Sequence, residues 1–98
     1  MGSFSIERVA QDRLAVSGEL GFATATEALK AGQRMIGSQP CTIDLAKVTE
    51  GDSAGLAVLI EWIATAEARG AQLRYENVPG QILAIARISD VQDLLTQP

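Results

Sequence analysis

Ile43-Asp44-Leu45, the run Ala46 to Gly51, and then Asp52-Ser53-Ala54-Gly55-Leu56 form the stretch whose reading decides the fold. Cys41 to Leu45 reads as a strand, and residues 46–51 as a loop that carries the chain onward. Asp52-Ser53 then opens the strongest helix of the sequence, residues 53–69. Gly70 stops it at the C′ position, directly after Arg69, a cation suited to the negative end of the helix dipole. A strand that delivers the chain to a helix N-terminus brings free backbone N–H groups and a positive dipole end to one point. Ser53 stands at that point with a hydroxyl expected to face solvent. Such an arrangement favours a phosphate or another anion, bound or covalent. Asp and Ser are also preferred N-cap residues, and on residue type alone capping is the stronger reading. Ala54 and Gly55 are small enough for a partner backbone to come close.

The helix carries a wide apolar arc. At about 100° per residue, Leu56, Leu59, Ile60, Ile63 and Ala66 make one core face, with Glu61, Thr65 and Ala68 opposite. Val58 and Trp62 fall a quarter turn or more off that face. Trp62 reads in two ways: as packing at the rim of the core, or, with Val58, as part of a docking surface, since tryptophan is enriched at interface hot spots.

Upstream, Phe4 to Val9 alternates roughly apolar and polar residues, which predicts a strand. Gln11-Asp12 is a turn, and Leu14 to Ser17 a second strand closed by Gly18, so the two form an antiparallel hairpin. Residues 23–36 read as a helix with Ala25, Leu29 and Ile36 near one face, Thr24 or Thr26 as its cap, and Gly37 and Pro40 at its end. Downstream, Gln72 to Glu76 is a fourth strand and Asn77 to Gly80 a turn. Residues 81–88 form a short apolar helix whose only charge is Arg87, and Val91 to Leu95 adds a last helical turn. The 81–88 helix is either sandwiched in the core or partly covered by another protein. The order β-β-α-β-α-β-α-α, with a right-handed crossover between parallel strands over residues 41–76, predicts one α/β domain, residues 1–98, with a small mixed sheet of about four strands.

Composition narrows the chemistry. The chain has 98 residues, no histidine and one cysteine, Cys41. A Ser-His-Asp triad, a Cys-His pair and a histidine general base are excluded, and a zinc site has too few ligands. Asp44 and Asp52 near one loop are a weak metal signal without further ligands, so no metal is expected. Asp44 is expected to cap loop N–H groups near Ser53, and Cys41 to be an inert core thiol. Twelve acidic residues against eight basic ones give a net charge of −4. No two basic residues are adjacent, which argues against nucleic acid and against an anionic membrane surface, but not against a basic protein partner. The longest uncharged apolar run, Ala54 to Ile60, has seven residues, against about 20 for a membrane span. Met1-Gly2 opens no myristoylation pattern because residue 6 is Ile, and no signal peptide is read.

Gly18-Glu19-Leu20, Ile43-Asp44-Leu45, Asp52 to Leu56 and Gly70 together resemble the STAS domain pattern, over nearly the whole chain. That family includes anti-sigma factor antagonists and the C-terminal domains of sulfate transporters. Within it, Asp52 to Ala57, Trp62, Asn77-Val78-Pro79 and Leu83 to Arg87 are similar to the MlaB type, the small cytoplasmic STAS subunits of Mla phospholipid-transport ABC complexes in Gram-negative bacteria. The resemblance implies a mixed sheet with helices mainly on one face, no enzymatic activity and no cofactor. It implies a cytoplasmic subunit, peripheral to the inner membrane, that binds the ABC transporter ATPase and through it the permease. Such a subunit supports phospholipid transport and so outer-membrane lipid asymmetry. Asp52, Ser53, Ala54, Gly55, Val58 and Trp62 are then the expected partner-binding residues. In anti-sigma factor antagonists the serine of the Asp-Ser pair is phosphorylated by a partner kinase, which releases the partner. Ser53 matches that position, and this is the alternative reading. The sequence departs from the pattern in the polar approach Thr49-Glu50-Gly51, in ending shortly after Leu95, and at Gly21, where many members carry Asp. The first two departures favour the transporter subunit.

Overall fold

Alternation along two strands builds the floor of the molecule. In strand β2 (Arg13–Leu20), Leu14, Val16 and Leu20 are buried. In strand β3 (Cys41–Gly51), Cys41, Ile43 and Leu45 are buried. Side chains one position along point the other way, as the two-residue period of a strand requires. The computed structural model describes residues 3–96. Met1-Gly2, on which the myristoylation reading bears, lies outside the described residues.

Strand β1 (Phe4–Ala10) pairs antiparallel with β2, β2 pairs parallel with β3, and β3 pairs parallel with β4 (Leu73–Glu76). The four strands lie in the order β1-β2-β3-β4. Helices α1 (Ala25–Met35), α2 (Ser53–Ala68), α3 (Gly80–Ile88) and α4 (Gln92–Leu95) complete the order read from the sequence. The helices lie mainly on one face of the sheet. The other face carries polar residues, among them Asp44 and Glu76, which stand opposite each other in the β3–β4 register. Arg13 pairs with Glu76 there and lies 3.6 Å from Asp44.

Helix α2 is the centre of the helical layer, and this corrects the expected docking surface. Val58 and Trp62 are fully buried. The wide apolar arc is needed because α2 contacts α1 on one flank, α3 on the other and the sheet beneath, so three neighbours bury it rather than one. The Trp62 indole N–H donates to the Ala28 carbonyl at 3.2 Å, and its ring lies over Gly32 of α1. A Cβ at position 32 would stand 2.0 Å from Nε1, so only glycine admits this crossing. Phe4 meets the same indole at a tilt, with 6.4 Å between ring centroids. Tyr75 donates its hydroxyl to the Leu59 carbonyl at 2.7 Å, and burial pushes its phenol well above the usual range. Ser53, Ala57, Glu61, Ala64 and Ala68 remain as the outward stripe of α2.

Three further details depart from the sequence reading. Residues 46–51 are not a loop. They continue β3 alongside Ser17–Leu20, and register shifts absorb a run too polar to alternate cleanly. Thr24 precedes α1 but does not cap it with its side chain. Its hydroxyl instead donates to the Glu19 carbonyl at 2.9 Å and accepts from the Gly21 N–H at 3.2 Å, pinning the turn between β2 and α1. Asp44 accepts from the Ala46 N–H and from the Asn77 amide, both at 2.9 Å, on the polar sheet face rather than beside Ser53. In α3, Ile82 and Ala86 are buried in the core, while Ile88 is 87% exposed. Cys41 is buried, and burial pushes its thiol up.

Two outcomes check this architecture. Gly32→Ala lowers stability by about 1–3 kcal/mol in urea unfolding through overpacking, although alanine is otherwise the better helix former. Gly37→Ala, with open space around its Cβ, shifts stability by less than about 0.5 kcal/mol. The second outcome concerns pH. The Asn77 amide, the Ala46 N–H and Arg13 hold the Asp44 carboxyl below its usual range. Its stabilising effect is therefore full above the ordinary carboxylate range and is lost as pH falls through the lowered value. Asp44→Asn is less stable than the parent at pH 7, and the two melting curves converge in acid.

Candidate functional site

The C-terminal ends of the parallel strands β2 and β3 and the N-terminus of α2 meet at one edge of the sheet. Ligands of open sheets that hold parallel strands gather at such carboxyl ends. Asp52 organises the junction. One carboxylate oxygen accepts from the N–H groups of Ala54 at 2.9 Å and Gly55 at 3.1 Å, which caps α2. The other oxygen accepts from the N–H of Phe22 at 3.2 Å, in the turn after β2. One side chain thus fastens the helix start to the neighbouring turn.

Gly55 is buried, and the close approach it permits is internal. A Cβ there would stand 1.9 Å from the Leu20 carbonyl oxygen, so the first turn of α2 rests directly on the backbone at the end of β2. Gly21 makes room for the same fastening, since a Cβ at position 21 would stand 2.5 Å from the Asp52 carboxylate. An Asp at position 21 would therefore contest the space that Asp52 occupies. Gly51 donates its N–H to the Gln81 side chain at 3.0 Å, bringing the start of α3 to the same edge.

Of the six residues expected at the site, Asp52, Ser53 and Ala54 come together at the surface, with Ser53 exposed and its two neighbours half-buried. Gly55 lies beneath them, and Val58 and Trp62 are inside the core. Beside the motif opens a cleft of about 370 Å³ lined by Glu19, Phe22, Glu50, Asp52 and Gln81, among others. Glu19 and Glu50 face each other across the parallel strands. The nearby Glu50 carboxyl, and next to it partial desolvation, raise the Glu19 carboxyl above its usual range. Glu50 and Phe22 carried no site role in the sequence reading, and Glu19 entered only as part of a family pattern. No local signal marked them, because only the parallel pairing of the fold brings the ends of β2 and β3 side by side.

The arrangement suits recognition. Asp52 already occupies the N–H groups of Ala54 and Gly55, so an incoming anion finds fewer free donors than a bare helix N-terminus offers. No group of three or more His, Cys, Asp or Glu among the described residues is placed to hold a metal ion.

The sequence model of the family described as "Mlab, STAS domain" matches residues 5–96. No curated protein sequence matches the chain. Among solved structures, the anti-sigma factor antagonist SpoIIAA in its unphosphorylated form superimposes with a TM-score of 0.72 at 14% identity, covering 96% of this chain and 86% of that one. A sulfate transporter family protein from Wolinella succinogenes gives a TM-score of 0.67 at 19% identity, over 93% of this chain and 77% of that one. An anti-sigma factor antagonist from Mycobacterium paratuberculosis gives 0.65 at 19% identity, over 97% and 83%. These likenesses establish a shared fold, and the family match spans the described strands and helices almost end to end: the chain belongs to the STAS domain family.

Proposed function

We propose that the chain is a non-enzymatic accessory subunit that binds and supports the ATPase of an ABC phospholipid transporter, and through it the permease. STAS domains are generally regulatory or interaction domains, and the observation that carries the finer reading is the match to the MlaB-type family over residues 5–96. The first turn of α2 and its outward stripe form the docking face: Asp52, Ser53 and Ala54, continued by Ala57, Glu61 and Ala64. Small side chains let a partner element lie close, and the serine hydroxyl and helix dipole meet polar groups on it. ATP hydrolysis occurs in the partner, and the subunit holds that partner in its working assembly. In this reading the protein sits at the cytoplasmic side of the inner membrane by association alone. No helix among the described residues is long and apolar enough to cross a membrane.

A second reading has its own observation. Two of the similar structures are anti-sigma factor antagonists, and Ser53 is exposed at the start of α2. In that reading a kinase phosphorylates Ser53, adding roughly −1.5 to −2 charges. The added charge and bulk fall at the helix start, where the helix dipole lets the domain tolerate them and a closely packed partner does not.

Affinity purification from native membranes in mild detergent, with mass spectrometry, separates the two. Recovery of an ABC ATPase with its permease is the expected result. Recovery of a soluble anti-sigma kinase, or a phosphate on Ser53, overturns it. Ser53→Asp is expected to weaken the ATPase complex at least tenfold while the domain keeps its melting temperature, because a helix N-terminus tolerates an acid. Asp52→Ala behaves differently: it costs the isolated domain about 1 kcal/mol through the lost cap, read by urea unfolding.

A further inference from the structure

The rim of the cleft beyond Ser53 holds two features that the docking face on α2 does not use. The first is Phe22, which is 77% exposed. Its backbone is pinned in that position. The Phe22 N–H donates to Asp52, the Gly21 N–H to the Thr24 hydroxyl, and that hydroxyl to the Glu19 carbonyl. A turn fixed by three hydrogen bonds holds an aromatic ring out in water. The second is the unbalanced charge beside it. Glu19 and Glu50 stand opposite each other on neighbouring strands, Asp52 adds a third carboxylate, and among the described residues no lysine or arginine lines the cleft. Like charges placed opposite each other in a sheet destabilise it. The domain therefore presents both an exposed ring and a hollow rich in carboxylates at one place, continuous with the Asp52–Ser53 turn.

We infer that this cleft is the second half of the partner interface: the protein that meets Ser53 also inserts an arginine between Glu19 and Glu50 and covers the ring of Phe22. Arginine suits both demands, because its guanidinium bonds two carboxylates at once and stacks on an aromatic face. Phe22 is then an anchor of the kind that dominates interface energetics, and the carboxylates set the choice of partner and the rate of encounter. The inference rests on the docking role proposed above and adds the chemistry of the occupant.

The test uses the full chain and the purified ATPase subunit, with affinity measured between low and high salt. Phe22→Ala and the double variant Glu19→Gln/Glu50→Gln are each expected to bind at least tenfold more weakly, and the double variant to lose part of the salt dependence. The double variant is also expected to melt at or above the parent temperature at pH 7, since the repulsion is gone; this separates lost recognition from lost folding. If both variants bind within twofold of the parent while Ser53→Asp does not bind, the inference is overturned and the docking role stands. If the parent chain does not bind the ATPase at all, the docking role fails, and a photo-crosslinking residue at position 22 in cells decides the inference alone. A crosslink to an arginine-bearing peptide, abolished by Glu19→Gln/Glu50→Gln, upholds it. No crosslink, or one that ignores the double variant, overturns it.

Discussion

The seating of α2 on the end of β2 is the constraint from which the rest of the structure follows. Gly55 brings the first helical turn onto the Leu20 carbonyl, at a distance where any side chain would collide. Asp52 then ties that turn in two directions, to its own helix and to the turn before α1. With the helix start fixed, the far end is set by Arg69, which donates to the Gln33 carbonyl at 2.6 Å and also to Ile36. Between these ends Trp62 lies in the hollow that Gly32 leaves in α1. Two glycines and one aspartate therefore decide where the central helix sits, and the central helix decides what remains exposed.

What remains exposed is narrow and one-sided. The apolar residues of α2 are spent on three neighbours, so the helix offers a partner only its N-terminal turn and a stripe of small and acidic side chains. The adjoining turn supplies the aromatic ring that α2 lacks on its surface. Internal packing and outward presentation share the same few residues: Asp52 both caps the helix and lines the cleft, and Gly21 both admits Asp52 and precedes Phe22. The surface around Ser53 is thus tied to the same hydrogen bonds that seat α2.

Much of the fold was legible because its signals are local. Strand alternation, the Asp52-Ser53 cap and Gly70 with φ +76° at the end of α2 depend on neighbours in sequence. The element order and the mixed sheet followed from them. Whether Val58 and Trp62 pack inward or dock a partner stayed open in the sequence, since a helical wheel shows how wide an apolar arc is but not how many neighbours will share it. Residues 46–51 read as a loop because their pairing with β2 relies on register shifts that no local pattern encodes. Glu19 and Glu50 are 31 positions apart and meet only through parallel pairing, so their cleft emerges at the tertiary level alone.

In the proposed role, partners approach the edge formed by the ends of β2 and β3 and the start of α2. Amide hydrogen exchange of the full chain, free and in complex with the ATPase subunit, tests this most directly. The account predicts added protection confined to residues 21–23 and 52–57, with the polar sheet face around Thr42 and Arg74 unchanged. Protection appearing on that sheet face instead, with the start of α2 exchanging as in the free chain, would contradict it.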